Sequence, residues 1–95
     1  MYQVANKLLP ATQKIARIQT GVRMETRLLK VLKALAELKD MTLGDLLEGI
    51  ALHALEGRAP FSKDTLKQIA VLKEVYGLTL SARDSHRLTE ERDSP

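Results

Sequence analysis

The chain has 95 residues, no cysteine and a formal net charge of +3, with an isoelectric point near 9.4. Hydrophobic residues make up 44% and charged residues 28%, a balance that excludes collagen, wholesale disorder and a coiled-coil rod. Aromatic residues make up only 3%, so the core has to be aliphatic, which favours helices, and stacking on nucleobases is nearly excluded. We expect one domain, and the lack of cysteine fits a cytoplasmic location.

Charge is unevenly distributed along the chain. Residues 1–39 hold eight Lys and Arg against two acids, whereas residues 40–57 hold four acids and neither Lys nor Arg. Two interpretations stay open: an ordinary solvated surface with helix-dipole matching, or a surface that faces a polyanion. No uncharged run is long enough to span a bilayer, and no secretory signal is recognised, so we expect no membrane partner.

The first part of the chain is predicted to hold an arm and a strand. Residues 1–16 show no sustained period and are interpreted as a flexible N-terminal arm. Residues 17–24 alternate, which predicts a short amphipathic strand. Its inward positions are Ile18, Thr20, Val22 and Met24, and its outward positions are Arg17, Gln19, Gly21 and Arg23. Because no second strand lies nearby in sequence, the economical partner is the same strand of a second chain, paired about a two-fold axis.

The remainder is predicted to be helical. Apolar residues at helical spacing predict a helix over residues 25–39, then a second helix that begins after Thr42 and ends at Gly57. Asp45 is the expected capping-box acid, and Gly49 predicts close packing. After a linker at residues 58–60, a third helix capped by Ser62 or Asp64 runs to Tyr76, with Leu66, Ile69, Leu72 and Tyr76 on one face. Residues 81–92 are predicted as a weak helix before a solvated tail.

Strand, helix, short turn and capped helix within about forty residues resemble the ribbon-helix-helix family of the MetJ/Arc type. The resemblance covers residues 17–57, and residues 40–42, Asp-Met-Thr, stand where that family has its turn, an apolar residue and a Ser/Thr cap. It implies a mainly α fold, a ribbon-helix-helix (β-α-α) intertwined homodimer, with an additional C-terminal helix in residues 58–95. It also implies a sequence-specific DNA-binding regulator whose two-stranded ribbon enters the major groove.

The resemblance assigns roles to particular residues. Base reading falls to Arg17, Gln19, Gly21 and Arg23. Arginine and glutamine suit guanine and adenine, whereas Gly21 has no side chain to read with. Phosphate contacts fall to the start of the second helix, at Thr42, Leu43 and Gly44, although Asp45 and Glu48 add negative charge there. Arg27 and Lys30 are alternative phosphate contacts, with an ordinary solvated face as the other interpretation. The expected dimer core comprises Ile18, Val22, Met24, Leu28, Leu32, Leu35, Leu46, Leu47 and Ile50.

A second class of function stays open beside DNA binding. In this alternative the chain is a protein-interaction module, such as a toxin-neutralising antitoxin or a dimeric adaptor. It would hold a protein partner through residues 61–92. We expect no enzyme, no cofactor and no metal site, because the two histidines, His53 and His86, are far apart and no nucleophile, phosphate loop or ligand cluster accompanies them. His53 is expected to be packed or to lie in an interface.

Overall fold

The computed structural model describes residues 12–91, which form three α-helices and one short 3-10 turn. The helices are α1 (Thr26–Leu38), α2 (Leu43–Leu55) and α3 (Lys63–Tyr76), and the 3-10 turn is Ala82–Asp84. The predicted arm lies mostly outside the described residues. Its last part, residues 12–16, is non-helical and continues to residue 25 without regular structure.

The helix boundaries follow from local capping. The Glu25 side chain accepts a hydrogen bond from the Leu28 amide and begins α1, and Thr42 and Ser62 accept from Asp45 and Thr65 to begin α2 and α3. Each bond satisfies an amide that has no partner within its helix. The three predicted helices are therefore confirmed to within about two residues at their ends. Ser62 rather than Asp64 provides the cap of α3.

Left-handed residues end the helices. Asp40 follows α1 with φ 56°, and the Met41 amide donates back to the Ala36 carbonyl at 3.0 Å. Gly57 and Gly77 follow α2 and α3 with φ 73° and 69°. These are the conformations that stop a helix and satisfy its last carbonyls.

The helix α1 lies at the centre of the fold. Both α2 and α3 pack against it, and within the described residues no Cα atom of α2 lies within 8 Å of one of α3. The core is small. Its buried apolar residues are Val31, Leu35, Ala36, Leu46 and Leu78, with Leu32, Ile50, Phe61, Ile69 and Leu72 packed around it in part.

The predicted strand, and with it the ribbon-helix-helix architecture, is wrong. Within residues 12–91 the chain is helical or irregular and contains no strand, whereas the mainly α part of the prediction agrees with the helices. A strand exists only through backbone hydrogen bonds to a neighbouring strand, and alternation of side chains does not provide that neighbour. Ile18 and Val22, expected to point inward, are 88% and 74% exposed.

Smaller predictions also need correction. A Cβ added at Gly49 would meet no atom within 4 Å, so close packing does not explain this glycine. Leu66 is 52% exposed and Thr65 is buried in its place, because the face toward α1 is centred on Thr65, Ile69 and Leu72, at i, i+4 and i+7. The weak helix predicted over residues 81–92 is only the single 3-10 turn within residues 81–91, after which His86 takes φ 66°. Residue 92 lies outside the described part of the chain.

Candidate nucleic-acid interface

The residues expected to read bases lie on the irregular stretch before α1, which we call the N-terminal segment (residues 12–25). Arg17, Gln19, Gly21 and Arg23 are all exposed. The two arginines, however, are each held by carboxylates from distant parts of the chain. This segment is therefore positioned by side-chain ion pairs rather than by backbone pairing.

Arg17 binds the first two turns of α2. Its Nε donates to Glu48 Oε2 at 2.9 Å, and its Nη2 donates to Glu48 Oε1 at 2.7 Å and to Asp45 Oδ1 at 3.3 Å. The hydrogen bond from Arg17 lowers the pKa of Glu48, and the same bond raises the pKa of Arg17. A guanidinium that forms two parallel bonds to one carboxylate is the strongest geometry available to this pair.

Arg23 binds Glu90, near the C-terminal end of the described chain. Its Nε donates to Glu90 Oε1 at 2.9 Å, and its Nη2 donates to Glu90 Oε2. This contact lowers the pKa of Glu90 and raises that of Arg23. Both side chains are largely exposed, at 83% and 62%, so the pair is open to exchange with other ions.

The two cations expected as alternative phosphate contacts differ in their surroundings. Arg27 Nη1 donates to the carbonyl of Gly77 at 3.1 Å, where it stabilises the negative end of α3. Lys30 is exposed on α1 and shares a solvent-facing strip with Lys33. Within the described residues no carboxylate lies within salt-bridge distance of Lys30 or Lys33.

The start of α2 is already occupied by groups of this chain. Thr42 Oγ1 accepts from the Asp45 amide at 3.1 Å, while the exposed Gly44 and half-buried Leu43 follow. The reciprocal bond of the predicted capping box is missing among the described residues, and the Asp45 carboxylate accepts from Arg17. Arg17 therefore neutralises part of the negative charge that would oppose a phosphate at this helix end.

The expected dimer-core residues are buried to very different extents. Leu35 and Leu46 are buried within the single chain, and Ile18 and Val22 are exposed. The others are half-buried: Met24, Leu28, Leu32, Leu47 and Ile50. His53, expected to be packed, is exposed and its Nδ1 lies 2.7 Å from the Gly49 carbonyl.

Sequence reasoning missed the acidic partners of the two arginines. The charges of Asp45 and Glu48 were recognisable, but only as groups that oppose a phosphate, and nothing in their spacing indicates a partner 28 and 31 residues away. Glu90 lies 67 residues from Arg23 and carries no signal at all. Over residues 12–91, no helix is long and apolar enough to cross a bilayer, and no cluster of His, Asp and Glu side chains is arranged to hold a metal ion.

Comparisons with protein-family models, with curated proteins and with solved structures give no match to this chain.

Proposed function

We propose that this chain is a small DNA-binding regulator that acts as a homodimer in the cytoplasm. The observation that carries the proposal is the concentration of exposed cations on the N-terminal segment and α1. Residues 12–39 hold seven Lys and Arg against two acids, and six of the seven are exposed. The exposed ones are Lys14, Arg17, Arg23, Arg27, Lys30 and Lys33.

Double-stranded DNA is the polyanion that suits such a surface best. It carries one phosphate charge about every 1.7 Å along its axis, so a row of cations can neutralise several phosphates at once and release their counterions. Lys30 and Lys33 are available for this role without breaking an ion pair, whereas Arg17 and Arg23 have to exchange a carboxylate for a phosphate or a base. Gln19 is also exposed and is a third side chain that can contact a base edge.

The homodimer in this proposal forms through the outer face of α2. Apolar residues cover roughly half of the circumference of this helix at 100° per residue. Leu46 and Ile50, on one side of that arc, pack in the core. The outer face, defined as Leu47, Ala51, Ala54 and Leu55, is half-buried at Leu47 and exposed elsewhere, with Leu55 at 84%. A helix that is apolar on both sides is normally buried on both sides.

A second copy of the same chain is the occupant that this face fits. The helix contains neither Lys nor Arg, and Arg17 neutralises part of the negative charge near its start. Two copies of this face can therefore approach each other without a partner of complementary charge. Ala51 and Ala54 are small, which allows two helix backbones to come close. A two-fold dimer also duplicates the cationic surface, which increases the number of phosphates contacted.

The experiment compares two double variants that remove the same charge. Lys30→Ala with Lys33→Ala should weaken binding to every duplex alike and should flatten the slope of log affinity against log salt by about two for each protomer that contacts DNA. Lys63→Ala with Lys67→Ala, on α3 and also exposed, is the matched control and should leave most of the affinity in place. Titrations at about 50 and 200 mM salt provide the slopes.

A second candidate function is favoured by one observation on α3. Val71 and Val75, four residues apart on one face of α3, are 62% and 67% exposed, an apolar surface that a dimer through α2 leaves uncovered. This surface lies within residues 61–92 and fits the protein-interaction module. If the wild-type chain shows no salt-dependent affinity for any duplex, DNA binding is wrong and the interaction module takes its place.

A further inference from the structure

We propose that the C-terminal segment (residues 77–91) is an autoinhibitory element, in which the Glu90 carboxylate competes with DNA for the guanidinium of Arg23. The inference rests on the proposed DNA-binding function, because it describes how that surface is regulated. The observation behind it is that this one segment binds two cations of the surface, Arg23 through Glu90 and Arg27 through Gly77.

The segment is fixed at its beginning. Gly77 takes the left-handed conformation after α3 and its carbonyl accepts from Arg27 at 3.1 Å. Leu78 follows at 9% exposure and is part of the core, and its amide donates to the Lys73 carbonyl at 2.8 Å. The residues that follow therefore start from a defined place beside the N-terminal end of α1.

Local hydrogen bonds then set the direction of the segment. The Ser81 amide donates to Asp84 Oδ2 at 2.8 Å, and the Arg87 amide donates to the Asp84 carbonyl at 3.1 Å. These bonds close two consecutive turns over residues 81–87. The chain beyond them reaches Arg23, so that Glu90 contacts a residue 67 positions earlier in the sequence.

The Glu90 carboxylate has the chemistry needed to compete with a DNA phosphate for Arg23. A carboxylate presents two oxygens to the guanidinium fork, as a phosphate does, so one ligand excludes the other. The pair is exposed, and an exposed ion pair is weak and screened by salt. DNA, with its many phosphates, can therefore displace Glu90, whereas a ligand with a single charge competes poorly. DNA sequences that bind weakly, and salt concentrations at which DNA binds weakly, leave the Arg23–Glu90 pair intact.

The test compares Glu90→Gln with Glu91→Gln, which remove the same charge from adjacent exposed residues. Among the described residues, Glu90 is the only one of the two whose side chain hydrogen-bonds to Arg23. We expect Glu90→Gln to bind duplex DNA several-fold more tightly than Glu91→Gln at low salt. Because salt screens the Arg23–Glu90 pair, this advantage should shrink between about 50 and 200 mM salt. The Arg23 Nε–Hε NMR resonance, measured without DNA, should exchange with solvent faster in Glu90→Gln and remain unchanged in Glu91→Gln.

Each other outcome has a distinct meaning. If the Arg23 resonance responds equally to both substitutions, the contact does not exist and the inference is overturned. If the resonance responds to Glu90→Gln alone but both variants bind DNA equally, the contact exists without inhibiting, which also overturns it. If no variant binds any duplex while the resonance still responds, the proposed function itself has failed, and the autoinhibitory role fails with it.

Discussion

Gly49 lies in the middle of α2 with no neighbour that requires a missing Cβ. An added Cβ would find no atom within 4 Å, and the residue has no left-handed φ that would favour glycine. Glycine inside a helix is less favourable than alanine because it loses more backbone entropy on folding. This position therefore weakens α2 without a packing benefit in the single chain.

Gly49→Ala should stabilise the chain by up to about 1 kcal/mol. The gain comes from helix propensity alone, since the new methyl group meets open space. Urea unfolding followed by circular dichroism provides the measurement. Gly77→Ala is the contrasting control and should destabilise, because Gly77 holds φ 69°, a left-handed conformation that is strained for alanine. A loss of stability in Gly49→Ala would show that something outside the single chain approaches this glycine.

At the scale of elements, the three helices were predictable because their determinants are local. Thr42 before α2, and Gly57 and Gly77 after α2 and α3, are signals that operate within a few residues. The strand over residues 17–24 was not predictable in the same way. Its alternation is equally local, but a strand needs hydrogen bonds to a remote segment, and the described chain offers none.

The element that most needs a partner is α2, and Ala51→Glu tests its outer face. Ala51 is exposed and in mid-helix, so a glutamate there should leave the helix intact while its size and charge separate two packed copies. We expect the wild-type chain to sediment with twice the mass of a 10.6 kDa chain and the variant to sediment as a monomer with retained helicity. Ala70→Glu, an exposed mid-helix alanine on α3, is the matched control and should stay dimeric. A wild-type chain that is monomeric and folded at micromolar concentration contradicts this interface.

At the scale of the whole molecule, the N-terminal segment is connected to the rest of the fold mainly by charge. Arg17 holds it to α2 and Arg23 holds it to the C-terminal segment, and the Glu25 carboxylate caps α1 where the segment ends. Surface ion pairs of this kind have no sequence period, so the placement of the candidate site could not be predicted even though the cations that compose it could. The uneven charge along the chain is recognisable from the sequence, but the pairing of Arg17 and Arg23 with distant carboxylates is not.

These contacts make the fold dependent on ionised glutamates, which predicts a loss of stability in acid. A hydrogen bond from the Leu28 amide lowers the pKa of Glu25, and hydrogen bonds from Arg17 and Arg23 lower those of Glu48 and Glu90. Because each pKa is lower in the folded chain, the unfolded chain takes up protons first as the pH falls. The stabilisation is complete above about pH 4.5, the ordinary value for glutamate, and is lost as the pH falls through the lower values of the folded state.

The measurement is the urea midpoint between pH 7 and pH 3, in the wild type and in two triple variants. Replacing Glu25, Glu48 and Glu90 by Gln should lower the midpoint at pH 7 and should reduce its fall in acid, since the groups responsible no longer titrate. The control variant replaces Glu37, Glu74 and Glu91 by Gln, which removes the same charge. These three side chains are exposed and accept no hydrogen bond in the described chain. The control should therefore retain the acid dependence of the wild type. If the two triple variants lose equal amounts of acid dependence, net charge rather than these three contacts governs the response. The N-terminal segment is then not held by its ion pairs.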